Sequence, residues 1–334
     1  MEMEYLRSNV QLPTLTMTTT TPIKSDPLKT KVADDVGTLP VDLEGEADAL
    51  ADEDDEEDNQ AIHIEGDLVP LHSAFVSWNS PTHANEDRAV IYRGSRFSVF
   101  AVIDGHGGDL ASEYVKTHLV DILDEEPDLT TASLRHATAT LERRFGELAT
   151  AANDFSGACF VALVVVEDGS RTRFVINCGD CRISALERLK KHRREYKALS
   201  TDHKASCPLE KQRIARAGGY VIMDRVAGVL APSRSIGDLD MKVPGMEGWV
   251  VADPEINEDV LCRDSLYVLA TDGVWDVMSD RDVLCLAETS WLDNQVAHDG
   301  TVGCASSCEA IAQDSVARGS RDDITCIVIR TGDW

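Results

Sequence analysis

Two apolar runs in this chain of 334 residues end in the same dipeptide. Phe97-Ser98-Val99-Phe100-Ala101-Val102-Ile103 leads into Asp104-Gly105-His106-Gly107-Gly108, and Tyr267-Val268-Leu269-Ala270-Thr271 leads into Asp272-Gly273. Taken alone, an Asp-Gly after a strand is the ordinary composition of a turn, since glycine accepts left-handed backbone angles and aspartate bonds to nearby backbone groups. The run of glycines after Asp104 permits more, a close backbone approach in which Asp104, the Gly105 carbonyl and His106 face one small space. Further carboxylates stand at comparable places. Asn85-Glu86-Asp87 precedes the first run, Gly179-Asp180 follows Phe174 to Cys178, and Arg321-Asp322-Asp323 precedes the run Ile324 to Ile329. Carboxylates gathered at one edge of a sheet repel unless cations sit between them, and an all-oxygen donor set suits Mg²⁺ or Mn²⁺.

The elements that must position these residues are legible as patterns. Phe97 to Ile103 reads as a buried strand, and Ser156 to Val166, then Glu167-Asp168-Gly169-Ser170, then Arg173 to Asn177, reads as a β-hairpin. Ala111, Val115, Leu119 and Ile122 recur at helical spacing, as do Leu134, Leu141, Phe145 and Leu148. Glu210 to Ala217 closes on Gly218-Gly219 and Glu309 to Arg318 on Gly319, each a helix with a glycine stop, and Ser279 is placed to cap a helix reaching Trp291. Strands come in consecutive runs, not in strict alternation with helices, so a layered α+β fold is expected in preference to a doubly wound parallel sheet.

With these residues in view the chain resembles the metal-dependent protein serine/threonine phosphatases of type 2C. The resemblance is carried by an ordered succession: Glu86-Asp87, Asp104-Gly105-His106-Gly107-Gly108, Ser156-Gly157-Ala158, Asn177-Cys178-Gly179-Asp180-Cys181-Arg182 and Ser200-Thr201-Asp202-His203-Lys204, then Glu210 to Gly219, Gly228-Val229-Leu230-Ala231, Ser233 to Asp238, Asp272-Gly273-Val274-Trp275-Asp276 and Asp322-Asp323-Ile324-Thr325. It implies a four-layer sandwich of two antiparallel β-sheets flanked by α-helices, with a two-metal Mg²⁺ or Mn²⁺ site at one end. By the same resemblance, Asp104 would bridge the metals, the Gly105 carbonyl and Glu86 would serve one ion, and Asp272 and Asp322 the other. Asp87, counted with the metal ligands, would act on the metal-bound water, His106 would be the general acid for the departing serine or threonine oxygen, and Asp180 with Asp272 would hold a weaker third ion. The implied reaction is dephosphorylation of phosphoprotein substrates in signalling.

Thr82 stands where many members of that family carry an arginine that grips the substrate phosphate, and a hydroxyl lacks the charged two-pronged donor of a guanidinium. Arg88 and Arg321 are the candidate replacements. Thr82 also supports a rival expectation, a catalytically weak or silent scaffold that keeps the fold. Cys178 and Cys181, although spaced as a C-x-x-C pair, have no second pair to complete a zinc site and are expected to pack as small apolar side chains.

Composition bounds the partners. The net charge of −27 argues against a nucleic-acid or anionic-membrane binder, whose affinity comes from Lys and Arg. Residues 1–65 carry 17 acidic and 4 basic side chains, include the Thr-rich tract Thr16 to Thr21 and the acidic run Asp52 to Asp58, and hold few aromatics. Such a segment cannot bury enough apolar surface to offset its ordering entropy, so 1–65 is expected to be a disordered acidic segment with a possible basic partner, and 66–334 the catalytic domain. The basic run between Arg188 and Arg194 reads as a solvated face or a docking surface for acidic segments. Nine cysteines, odd in number and scattered through apolar runs, suit a reducing compartment, and the acidic start Met1-Glu2-Met3-Glu4 resembles neither a secretory nor a mitochondrial leader. Cytoplasm and/or nucleus is the expected location.

Overall fold

The computed structural model describes residues 71–188, 194–293 and 300–332. The expectations for residues 1–65, for the first residues of the domain at 66–70 and for the basic run at 189–193 lie outside the described residues.

Near-continuous apolar runs mark strands buried on both faces, and the central pair behaves in this way. In β3 (Phe97–His106), Val99, Ala101 and Ile103 join a cluster with helices, while Phe100 and Val102 join a cluster shared with the other sheet. In its antiparallel partner β4 (Gly157–Val166), Ala158, Phe160, Ala162 and Val164 point one way and Cys159, Val161, Leu163 and Val165 the other. The period of two thus serves two cores at once. Truncating a side chain such as Phe160 to alanine in so closed a layer costs about 3–5 kcal/mol.

The first sheet runs β11 (Glu255–Val260), β5 (Thr172–Cys178), β4, β3 and β2 (Arg88–Arg93), with β10 (Ile236–Gly237) paired to β4. The second runs β1 (Leu71–Trp78), β13 (Ile324–Thr331), β12 (Leu266–Ala270), β6 (Arg182–Arg188) and β7 (Arg194–Ala198). Every pairing of named strands is antiparallel. Helices α1 (Leu110–Asp124) and α2 (Thr131–Ala152) cover the first sheet, and α5 (Asp280–Asp293) and α6 (Gly300–Ala317) the second. The fold is therefore the four-layer α+β sandwich that the resemblance implies.

In the chain between β7 and β11, and apart from β10 in the first sheet, residues 204–250 form a small lobe with helix α3 (Pro208–Arg216) and the hairpin β8 (Val221–Ile222) to β9 (Arg225–Val226). Ala205, Ile214, Val226, Met241 and Val250 make its core. Glu210 ties it together, reaching Arg234 at 2.7 Å, Ser233 at 2.7 Å and Arg213 at 2.9 Å.

Three local expectations are corrected. Strand β3 does not stop before Asp104 but continues through His106, because β4 keeps pairing with it as far as His106 opposite Gly157. In α2, Leu148 is exposed and Ala149 takes the buried place, since the face turns by about 100° per residue. Helix α6 begins at Gly300, well before Glu309; its first half buries Gly303, Cys304, Ser307 and Cys308, small residues that carry little apolar periodicity. Cys178 and Cys181 are buried and free. Among the described residues no helix is long and apolar enough to cross a membrane.

Candidate metal centre

Close backbone packing brings the acidic residues together. Gly105 lies so near the loop that carries Glu86 that a Cβ on it would sit 2.5 Å from the Glu86 carbonyl oxygen and 2.7 Å from Ser112 Oγ. Gly179, with φ +124°, passes against Cys159 and delivers Asp180 just beyond β5. Asp272 opens the short helix α4 (Asp272–Trp275), and a Cβ on the next residue, Gly273, would overlap the carbonyl oxygen of Asp323. Glycine at 105, 179 and 273 thus sets how closely the segments that carry the site approach one another.

Asp104, Asp180 and Asp272 each offer one carboxylate oxygen within 4.8 Å of the others. Burial is the largest cause that pushes the Asp104 carboxyl well above its ordinary range, followed by the charges of Asp272, Asp87, Asp180 and Asp322. Asp272 is pushed well up by burial and by Asp180, although Lys204 opposes this. Asp180 rises for the same first reason, with Lys204 again opposing. Asp87, 4% exposed, accepts the Thr271 hydroxyl at 3.0 Å, and burial together with Asp323 and Asp322 still raises its pKa to about 7.

Among the described residues one ammonium, that of Lys204, enters the cluster. Lys204 Nζ lies 2.5 Å from Asp276, 3.9 Å from Asp180 and 3.9 Å from Asp272. One positive charge against so many carboxylates leaves a dense anionic hollow lined by hard oxygen donors, and these residues fit Mg²⁺ or Mn²⁺. The tight group contains Asp180 and not Asp322, which is 59% exposed in its side chain and acts on Asp104, Asp87 and Asp272 through its charge. Glu86 sits alongside, its Oε1 accepting the Gly108 N–H at 2.9 Å.

Two acids escaped sequence reasoning. Asp323, 3% exposed, accepts the backbone N–H groups of Ser80 at 2.6 Å and of Glu86 at 2.8 Å, so it pins the loop that presents Glu86 and Asp87. Its only signal was the Asp322-Asp323 doublet. Asp238 receives His106 Nε2 on both oxygens, at 2.9 and 3.0 Å. Burial lowers the His106 pKa, but the hydrogen bond and charge of Asp238, with Asp180 and Glu86, more than offset this and raise it above the usual value.

The candidate phosphate ligands are placed differently from one another. Arg88 is engaged with Glu113 at 2.5 Å, Asp109 at 2.7 Å and the carbonyls of Asn85 and Asp87. Arg321 is exposed and its side chain pairs with no described residue. The Thr82 hydroxyl meets Ser80 Oγ at 2.8 Å, and His83 lies beside it, 4.0 Å from Asp322 and 3.7 Å from Asp323.

A family model described as Protein phosphatase 2C matches residues 77–324. A rice protein (Oryza sativa subsp. japonica), "Probable protein phosphatase 2C member 13, mitochondrial", is 35% identical over 242 residues, which are 71% of this chain and 61% of that protein; the chain thus spans less than two thirds of that relative. Among solved structures, the serine-threonine phosphatase 2C of Toxoplasma gondii aligns with a TM-score of 0.62 at 23% identity, over 78% of this chain and 94% of that one. The catalytic domain of the serine threonine protein phosphatase PstP, in complex with 2 manganese ions, aligns with a TM-score of 0.55 at 21% identity, over 80% of this chain and 100% of that one. The two structures establish a shared fold.

Proposed function

Because the chain belongs to the protein phosphatase 2C family, we propose that it hydrolyses phosphoserine and phosphothreonine in proteins, using two Mg²⁺ or Mn²⁺ ions held by its carboxylate cluster. The observation that carries this reading is the group Asp104, Asp180 and Asp272, with oxygens within 4.8 Å and too little positive charge beside them. The manganese ions bound by PstP support the ion count. When bound, such ions supply Lewis-acid charge and a water able to act as nucleophile at neutral pH.

The chain's own residues divide the remaining work. Asp104, Glu86, the Gly105 carbonyl, Asp272 and Asp322 hold the ions, and Asp180 with Asp272 takes a weaker third. Asp87 accepts a proton from the attacking water. His106 protonates the leaving oxygen, without which an alkoxide departs badly; such general acid catalysis contributes about 10²–10⁴ in rate. Arg321, exposed beside Asp322 in the chain and free of ion pairs with described residues, contacts the substrate phosphate, since Arg88 is already engaged.

The rival reading, a silent scaffold, rests on Thr82. Hydrolysis of a phosphoserine peptide with and without Mn²⁺ decides between them, with Asp272→Asn as the inactive control. Metal-dependent turnover that falls sharply in His106→Ala is expected; no metal-dependent turnover in the parent protein establishes the scaffold.

A further inference from the structure

The contact between His106 and Asp238 is built by several parts of the chain. Asp238 is 4% exposed and has a left-handed backbone, φ 51°, which is uncommon for a residue with a Cβ. Its N–H donates to the Ser156 carbonyl at 3.1 Å, and its carboxylate accepts the Ser235 hydroxyl. Opposite His106 on β4 stands Gly157, and a Cβ there would overlap both His106 Nε2 and Asp238 Oδ2. A missing side chain on one strand therefore makes room for a bond between two residues 132 positions apart.

We infer that Asp238 is a positioning residue that fixes which nitrogen of His106 delivers the proton. This rests on the reading of His106 as general acid. An ionised carboxylate only accepts hydrogen bonds, so the nitrogen facing it, Nε2, carries the N–H. The other nitrogen, Nδ1, makes no hydrogen bond with a described residue, and the side chain keeps 29% of its surface open. Nδ1 is thus the atom left to meet the leaving oxygen. As the ester P–O bond breaks, its electron pair goes to the serine or threonine oxygen, which takes the proton from Nδ1. The water oxygen forms the new bond to phosphorus. The imidazole ends neutral with Nε2–H still on Asp238, and the proton given up by the water returns to Nδ1 through solvent.

The test compares Asp238→Asn with His106→Ala in the Mg²⁺-loaded full chain. An asparagine amide can donate to Nε2 and so favours the wrong tautomer, as in triads where Asn replaces Asp. On a phosphoserine peptide and on phenyl phosphate, Asp238→Asn should lower kcat about 10²-fold with KM little changed. On p-nitrophenyl phosphate, whose leaving group departs without a proton, the loss should be only a few-fold by the same logic. The double variant should be no worse than His106→Ala. Equal losses on all substrates, or none, overturn the inference. If His106→Ala is itself blind to the leaving group, the general-acid reading fails; if His106→Ala discriminates and Asp238→Asn does not, only the role of Asp238 fails. Should Asp238→Asn not fold, ¹⁵N NMR of the histidine ring in the unmodified Mg²⁺-loaded protein reads the tautomer directly. Neutral His106 protonated on Nε2 supports the inference, and protonation on Nδ1 overturns it.

Discussion

Strand β5 has a cluster of charge at each end, and the two clusters are balanced in opposite ways. At its start Arg173, 1% exposed, faces Glu187 at 2.6 Å and Asp259 at 3.2 Å, and lies over the Tyr267 ring at 5.2 Å. Burial lowers the Arg173 pKa, but Tyr267, Glu187 and Asp259 together raise it above its usual value, so the guanidinium stays charged. Just past its other end, Asp180 joins Asp104 and Asp272, where like charges accumulate and the carboxyl pKa values are driven up. The first cluster is complete within the chain and can serve shape alone. The second is complete only when cations arrive from outside, which is why it reads as a site.

The largest effect that tests this contrast is Asp272→Asn. Removing a donor from the cation cluster should lower phosphopeptide hydrolysis by roughly 10³-fold or more, several kcal/mol of transition-state stabilisation. The same change relieves repulsion, so the melting temperature in chelator should hold or rise. A clear loss of chelator-measured stability would show that the carboxylates hold the fold instead.

Next in size is Arg173→Met, which strands Glu187 in the interior and should cost about 3–5 kcal/mol by denaturant unfolding, with kcat per folded molecule unchanged. Replacing both partners, Arg173→Met with Glu187→Leu, should recover most of that loss. Two guanidinium nitrogens, Nε and Nη1, have no partner among the described residues, so the pair is not at its best geometry. A double variant as unstable as the single one would make the pair irreplaceable.

Mg²⁺ should raise stability by about 2.7 kcal/mol at 100 times its Kd, or roughly 2–4 °C per kcal/mol in melting temperature for a domain of this size. The shift should vanish in Asp272→Asn and persist in Arg173→Met. The smallest effect is in pH. Asp87 has its pKa raised from 3.8 to about 7 in the folded chain without cations. A carboxyl raised in this direction favours the folded state fully below about 4, and that contribution is lost as pH rises through about 7. The gap in melting temperature between Mg²⁺-loaded and chelated protein should therefore widen from pH 4 to pH 7, whereas a constant gap would mean that Asp87 is not part of the cation cluster.

The two clusters also differ in how far they can be read from sequence. Asp104 and Asp272 declare themselves through an apolar strand, then an acid, then a glycine, because local backbone demands and chemistry fall on adjacent residues. Arg173 gives no such sign, since nothing beside it in the chain distinguishes a strand arginine aimed between sheets from one aimed at water. Asp238 and Asp323 are hidden for a related reason: their partners lie 132 and 237 positions away, at distances no spacing encodes. The layered fold was legible through the consecutive apolar runs that became β3 and β4, and its two-sheet sandwich through the resemblance, while the start of α6 was not, because Gly303, Cys304 and Ser307 pack by being small.

The contact at Gly273 bears on which ion the cluster prefers. With the Gly273 α-carbon packed on the Asp323 carbonyl, the segments that carry Asp272 and Asp322 are held apart by two main chains, not by rotamers that could adjust. Mg²⁺ demands oxygens at about 2.0–2.1 Å and tolerates little deviation, while Ca²⁺ accepts about 2.3–2.6 Å in looser shells. A separation set by backbone makes this glycine a gauge of ionic radius: Gly273→Ala, which touches no ligand atom, would widen the aperture and shift the preference toward the larger ion.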